Sequence, residues 1–364
     1  MPTLDLDRIS RLQKELVTRK IDAFFASTAI SMGYLAGFYE GGYERFLVMA
    51  IPAKGEPALI CPALSVTHAQ SKGIKDIRGW RDGENAAPLF AKLVQQWKLH
   101  TAAADDDMPA SYLLTMQETC PELRFVKGGD VIGELRRAKS KDELAKLRHA
   151  ADVADKAQLE LQRRIKPGMK ESECAVIIRE SMTKQGCSPT FCIVAAGAYG
   201  AEPHHATSDY VIKNNEVVIV DCGCLHEKYN SDTTRTFCVG KASDEARKVY
   251  EIVYRAYTAG CDAVRPGVPC EDVDAAARKV IEDAGYGEYF MHRTGHGIGV
   301  QGHEPPYIVK GSKAKLVVGQ CFSVEPGIYL PGKFGVRIEN IVSVGETGCD
   351  SLNCAPPPEL IEIG

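Results

Sequence analysis

The stretch from Glu216 to Gly240, EVVIVDCGCLHEKYNSDTTRTFCVG, constrains the fold more than any other. Val217 to Val220 form one β-branched run, and Thr233, Thr234, Thr236, Phe237 and Val239 form another, so the stretch predicts two strands of a hairpin. Asp221 and Asp232 are expected at the inner strand ends. Aspartate is disfavoured inside strands. Two carboxylates brought together in a poorly hydrated place repel by roughly several kcal/mol unless a cation or a shared proton offsets them. Alone, the hairpin leaves two readings open: turn-forming, solvated aspartates, or half of a charged site.

A weak internal repeat extends the second reading. A long helix is expected to end at KPGM, residues 166–169, and another at RPGV, residues 265–268, each followed by a second helix. Cys174, Ile177, Ile178 and Met182 give the earlier helix an apolar stripe; Val273, Ala276, Ala277, Val280, Ile281 and Ala284 give the later one its own. These stripes read as core. After the later pair, CFSVEPGIYLPGKFGVRIENIVSV predicts strands around Phe322–Val324 and Val336–Val344, joined by a Pro/Gly-rich turn. Glu325 and Glu339 occupy the places that Asp221 and Asp232 hold in the first hairpin. A pseudo-symmetric sheet would bring the four acids together.

Four converging carboxylates cannot all ionise in a cleft without cations, and hard oxygen donors suit divalent ions such as Mn, Co or Zn. HRTGHGIGVQGHEPP supplies His292, His296 and His303 among glycines that allow close backbone approach. With His204 and His205 these are five of nine histidines, all outside the long helices expected in the second part.

The 364 residues suffice for two domains. Leu4–Arg19 reads as a helix with Leu6, Ile9, Leu12 and Leu16 on one face, and Phe46–Ile51 with Pro57–Cys61 as a hairpin. The charged run after Glu134 reads as a connector, giving expected domains 1–133 and 140–364. With 44 basic against 48 acidic residues, a net of -4, nothing suggests nucleic acid or a membrane surface. No apolar run approaches a bilayer span and the N-terminus lacks a signal-peptide pattern, so a cytoplasmic chain is expected. Thirteen scattered cysteines without a CxxC pair fit reduced core thiols, Cys222 and Cys224 included.

VDCG at Asp221, SDTTRT at Asp232, GHGIG at His296, EPGIY at Glu325 and VRIEN at Glu339 together resemble the metal site of the pita-bread metallopeptidases, in their Xaa-Pro peptidase branch of prolidases and aminopeptidases P. The resemblance covers most of the chain. It implies an α+β pita-bread catalytic domain with a pseudo-twofold repeat, preceded by a smaller α/β domain, and a homodimer. It implies two divalent ions, manganese first, with cobalt or zinc also compatible. Asp221 would hold one ion, Asp232 and Glu339 would bridge both, and His296 and Glu325 would hold the second. A bridging hydroxide would be the nucleophile and Glu325 the general base. His204, preferred over His205, would lie near the substrate, His303 would stabilise the oxyanion and His292 would line the site. The substrate would be a proline-containing di- or oligopeptide, cleaved before proline.

Tyr329 and Arg337 could border or orient the site, with Arg337 counted among the substrate contacts. Many prolidases carry an arginine four positions after the second histidine, to grip a dipeptide's carboxylate. Here that position is Tyr307, a substrate contact of another kind, which leaves Xaa-Pro dipeptidase and Xaa-Pro aminopeptidase activity both open. Methionine aminopeptidases share the five ligands but usually lack so large an N-terminal domain. A creatinase-like hydrolase, or a non-catalytic binding module on the same fold, would have no need of intact ligands.

Overall fold

The computed structural model describes residues 3–364; residues 1 and 2, which begin the stretch read for a signal peptide, lie outside the described residues. The chain divides into two compact units between Arg136 and Arg137. Among the described residues no helix is long and apolar enough to cross a membrane.

The first unit is a mixed sheet of β1 (Ala23–Ala26), β2 (Val48–Pro52), β3 (Ala58–Pro62), β4 (Asp76–Trp80), β5 (Thr101–Ala104) and β6 (Arg124–Lys127), in the order β4-β3-β2-β1-β5-β6. β2 and β3 form the expected hairpin, shifted slightly toward the C-terminus. The helix Leu6–Arg19, capped by the Asp5 side chain, buries Ile9, Leu12 and Leu16. Leu6, expected on the same face, is exposed because it stands at the first helical position, beyond the reach of the core.

The second unit repeats itself. The helices Lys141–Gln162 and Glu171–Lys184 precede β7 (Ser188–Ala196), β8 (Glu216–His226), β9 (Tyr229–Asn230) and β10 (Thr233–Val239). The helices Asp244–Ala263 and Cys270–Asp283 precede β11 (Gly295–Gly297), β12 (Glu304–Ile308), β13 (Cys321–Val324), β14 (Gly327–Leu330), β15 (Phe334–Arg337), β16 (Asn340–Val344), β17 (Cys349–Ser351) and β18 (Ile361–Ile363). In the first half β8 lies antiparallel between β7 and β10; in the second, β13 lies antiparallel between β11 and β16. Each sheet is covered by its own helix pair over its own apolar core.

The two Pro-Gly turns repeat hydrogen bond for hydrogen bond. Gly168 N donates to Ile212 O at 2.8 Å and Ile212 N returns to Met169 O at 2.9 Å; Gly267 N donates to Leu316 O at 2.8 Å and Leu316 N returns to Val268 O at 2.9 Å. Both long helices end a few residues before their Pro-Gly turns, at Gln162 and Ala263, because proline's missing N–H and the glycine's positive φ cannot continue a helix. The second hairpin is more elaborate than its sequence suggests. The Pro/Gly-rich segment forms a separate two-stranded ribbon, β14 with β15, so β13 pairs with β16 and the predicted strand Val336–Val344 breaks at Ile338 and Glu339.

Gly168 and Gly267 have φ of 93° and 85°, and a Cβ added at either would meet nothing within 4 Å. Gly168→Ala and Gly267→Ala should therefore each cost about 1–2 kcal/mol of strain alone. Denaturant unfolding should show two closely similar losses; a large inequality would contradict the equivalence of the turns.

Candidate active site

The repeat delivers the acids in pairs. Asp221 lies in the middle of β8, opposite Ile193 of β7 and Thr234 of β10, rather than at a strand end as expected. The strand runs on because Cys222 and Cys224 bury their side chains in the helix-covered core while Asp221 turns to the other face. Asp232 directly precedes β10, Glu325 directly follows β13, and Glu339 directly precedes β16. Val324 opposite Asn340 is the last pair of β13 and β16, which sets Glu325 and Glu339 side by side just beyond it.

Ligand atoms of Asp221, Asp232 and Glu339 all lie within 4.8 Å of one another; so do those of His296, Glu325 and Glu339, and those of Asp232, His296 and His303. The structure thus brings all five expected metal ligands into one cluster. Burial, and then the neighbouring carboxylates, push the Asp232 and Glu339 carboxyls well above the ordinary range. Glu325 is pushed up to about 7, chiefly by burial. The cation that meets the cluster directly is Arg337, whose Nη2 lies 2.9 Å from Asp221 Oδ2. Asp221 Oδ1 is buried with no hydrogen-bond partner among the described residues. An orphaned carboxylate oxygen within a cluster of acids fits a divalent cation, since a buried polar atom without a partner is costly.

His296 is prepared as a ligand. Its Nδ1 lies 3.0 Å from the Gly297 carbonyl, which can only accept, so Nδ1 carries the hydrogen. The lone pair is left on Nε2, 3.4 Å from Glu325 Oε1 and 3.6 Å from Asp232 Oδ2. Burial lowers its pKa to about 3, which keeps the ring neutral. The glycine at 295 is required here, because a Cβ would collide with the Ser323 carbonyl oxygen. The Ser323 hydroxyl accepts from His296 N at 3.0 Å and donates to Glu325 Oε1 at 2.9 Å, joining the two groups.

The cluster lines a cleft of about 1100 Å3 together with Phe191, Ile193, His204, Met291, His292, Arg293 and His303. The His303 ring stacks on His296 with centroids 3.6 Å apart. Arg293 Nη2 donates to His303 Nδ1 at 3.1 Å, so a neutral His303 presents its hydrogen on Nε2. His204 faces the cleft, whereas His205 is buried against Glu171 at 2.9 Å. His292 lines the cleft with both ring nitrogens engaged: Nδ1 donates to the Arg293 carbonyl at 2.7 Å and Nε2 accepts from the Tyr329 hydroxyl at 2.8 Å.

The two other expected substrate contacts, Arg337 and Tyr307, stand in different places. Arg337 lines the cleft and is held at all three guanidinium nitrogens, Nη2 to Asp221, Nη1 to Tyr329 Oη at 3.0 Å and Nε to Thr234 Oγ1 at 3.1 Å, so it also positions Asp221. Tyr307 falls on the exposed face of β12 by strand alternation, pairs across the strands with His296, and carries on its ring the guanidinium of the cleft residue Arg293, 4.5 Å from the ring centre. Sequence reasoning missed Arg293, although it stands inside the HRTGHG motif, and Thr234, which donates to Glu339 Oε2 at 2.7 Å. No sequence signal separates that threonine from its neighbours in SDTTRT.

These raised carboxyl pKa values fix a sign for the metal-free protein. A carboxyl whose folded pKa exceeds its unfolded value of about 4 stabilises the fold at acid pH, and that contribution is lost as pH rises through the folded value. Metal-free protein should therefore lose thermal stability between about pH 5 and pH 8, the range containing Glu325 at about 7, and saturating Mn2+ should restore it. A flat metal-free profile over that range would contradict the electrostatic picture.

Comparison with known proteins gives the lineage. The profile of Metallopeptidase family M24 matches residues 145–346, and that of the Creatinase/Prolidase N-terminal domain matches residues 8–138. The chain is 39% identical over 353 residues to a probable dipeptidase PepE of Mycobacterium bovis, covering 94% of this chain and 93% of that one. It superposes on the recombinant prolidase of Thermococcus sibiricus with a TM-score of 0.93 and 36% identity, covering 99% of this chain and 100% of the other. On the Xaa-Pro dipeptidase of Bacillus anthracis it gives a TM-score of 0.89 and 32% identity, covering 98% and 99%. A mixed α and β chain built on this repeat and these two profiles belongs to Metallopeptidase family M24, with a creatinase/prolidase N-terminal domain.

Proposed function

We propose that this chain is a metal-dependent Xaa-Pro dipeptidase, hydrolysing the bond between an N-terminal residue and a C-terminal proline. The observation that carries this reading is the cluster of four acids and His296 in a cleft that also exposes an apolar wall and the Arg293 guanidinium. The prolidase and dipeptidase names of the relatives support it.

Asp221, Asp232, His296, Glu325 and Glu339 would hold two divalent ions, manganese first, with cobalt or zinc also suited to the donors. Such ions supply Lewis-acid polarisation of the scissile carbonyl and a water deprotonated near neutral pH. The other tasks fall to side chains. Glu325, oriented by Ser323, takes the water's proton and returns it to the leaving proline nitrogen. His303 donates from Nε2 to the carbonyl oxygen as negative charge develops there. His204, on the cleft lining, meets the substrate. Proline has no N–H to be gripped, so Phe191, Ile193 and Met291 offer its ring an apolar wall.

Arg293 supports the dipeptide over longer peptides. It faces the cleft, rests on the Tyr307 ring and is held by an imidazole nitrogen rather than a carboxylate. Its charge is thereby available to a free carboxylate one residue beyond the scissile bond. Tyr307 thus positions an arginine supplied from elsewhere in the sequence. The unpaired, largely buried thiols support a reducing, cytoplasmic setting, and family likeness supports a homodimer.

With Mn2+ present, kcat/KM for Ala-Pro should exceed that for Ala-Pro-Ala about tenfold or more, equivalent to 1.4 kcal/mol. Preference for the tripeptide would favour the aminopeptidase reading. Arg293→Met should lower kcat/KM for Ala-Pro about tenfold more than for Ala-Pro amide, which lacks the carboxylate, any loss common to both reporting the missing bond to His303. Equal losses on both substrates would assign Arg293 to the chemistry or the fold instead.

A further inference from the structure

We propose that His149, Cys187 and His226 form a separate site for a borderline transition ion of the zinc type, on the face of the first sheet opposite the carboxylate cluster. One ligand atom from each lies within 4.8 Å of the other two. His226 ends β8, Cys187 immediately precedes β7, and His149 stands on the helix Lys141–Gln162. Strand alternation separates this group from the catalytic cleft. His226 shares the parity of Val218, Val220, Cys222 and Cys224, which bury beneath that helix, while Asp221 points the other way.

The separations are those of a site close to closure. Cys187 Sγ is 3.8 Å from His226 Nδ1, and the His149 and His226 ring centres are 4.0 Å apart. Tetrahedral zinc, with bonds of about 2.0–2.1 Å to nitrogen and about 2.3 Å to sulfur, sets its ligands about 3.3–3.8 Å from one another. Ligand atoms that all lie within 4.8 Å of one another need to close by about 1 Å to reach that spacing. Burial and the neighbouring His149 lower the pKa of His226, so its lone pair is available at neutral pH. Lys146, nearby, is neutralised by ion pairs to Asp142 at 2.7 Å and Glu227 at 3.4 Å.

Binding exchanges one bond for another. The Cys187 S–H breaks, its proton passes to solvent, and the thiolate bonds the ion beside two neutral imidazoles. Cys187 is buried and His149 exposed, so three protein ligands are supplied and the fourth position faces water. A thiolate with two imidazoles selects zinc or cobalt over manganese, whereas the carboxylate cluster accepts all three. The ion would clip the helix Lys141–Gln162 to the starts and ends of β7 and β8 without entering the reaction.

Cobalt reads this site directly, because only a thiolate ligand gives a sulfur-to-cobalt charge-transfer band in the near ultraviolet. Titrating the full chain with Co2+ should produce that band. Cys187→Ser should abolish it, and His149→Ala, at an exposed position, should weaken the Co2+ affinity reporting on it about tenfold or more. Mn2+-dependent Ala-Pro cleavage should stay within about twofold of wild type in His149→Ala, since no catalytic ligand is touched. Absence of the band from the wild-type protein, or its persistence undiminished in Cys187→Ser or His149→Ala, would overturn the proposal. Loss of Mn2+ activity in His149→Ala would also overturn it, whereas absence of that activity from the wild-type chain, with the band present, would count against the dipeptidase reading alone.

Discussion

Mutual repulsion among Asp221, Asp232, Glu325 and Glu339 is the constraint on which the rest of the structure depends. Two of the four, Asp232 and Glu339, are buried, and the guanidinium that contacts the set, Arg337, satisfies one oxygen of Asp221. In an interior of low effective dielectric, neighbouring unpaired carboxylates destabilise a fold by roughly several kcal/mol. A chain that keeps such a cluster gains function from it, and the orphaned Asp221 oxygen shows where compensation is missing. Protons or divalent cations can supply it, and at neutral pH cations do so without abolishing the charge that chemistry needs.

The repeat is the scaffold that makes the frustration tolerable. Each half places one acid on a central strand or at its end and another just before the neighbouring strand, so four backbone anchors converge from two independent cores. The anchors are reinforced from behind. Arg235 Nη1 donates to the Glu339 carbonyl at 2.7 Å, and its Nη2 reaches the buried Asp155 at 3.1 Å. Asp155 also accepts from Cys354 N, and Asn353 Nδ2 bonds Thr233 Oγ1 at 2.7 Å. The chain's last segment is thereby tied to the strand that follows Asp232. Positioning of this kind, by groups that never touch substrate, keeps ligands within the few tenths of an ångström that catalysis requires.

Much of this was legible in the sequence because its signals are local. A carboxylate beside a β-branched run, a glycine-flanked histidine and a Pro-Gly turn can each be recognised from a handful of neighbours, and their repetition linked the two halves. What stayed hidden depends on three-dimensional neighbours. Asp221 reads as a strand end, yet β8 passes through it because β7 and β10 both pair with it there. Arg337 reads as a substrate contact, and its second task, positioning Asp221, appears only when Thr234, Tyr329 and Asp221 are seen to share its nitrogens. Arg293 gains meaning only when Tyr307 proves to be its support, and His149, Cys187 and His226 come from three distant stretches that share no motif.

The central claim, that these acids exist to hold cations, is tested most directly by counting metal in protein purified, supplied with Mn2+ and freed of loosely bound ions. The wild-type chain should retain two ions, and Asp232→Ala, which deletes an oxygen donor shared between ligand groups, should retain at most one while remaining folded by circular dichroism. A full complement of metal with undiminished activity in Asp232→Ala would contradict the account.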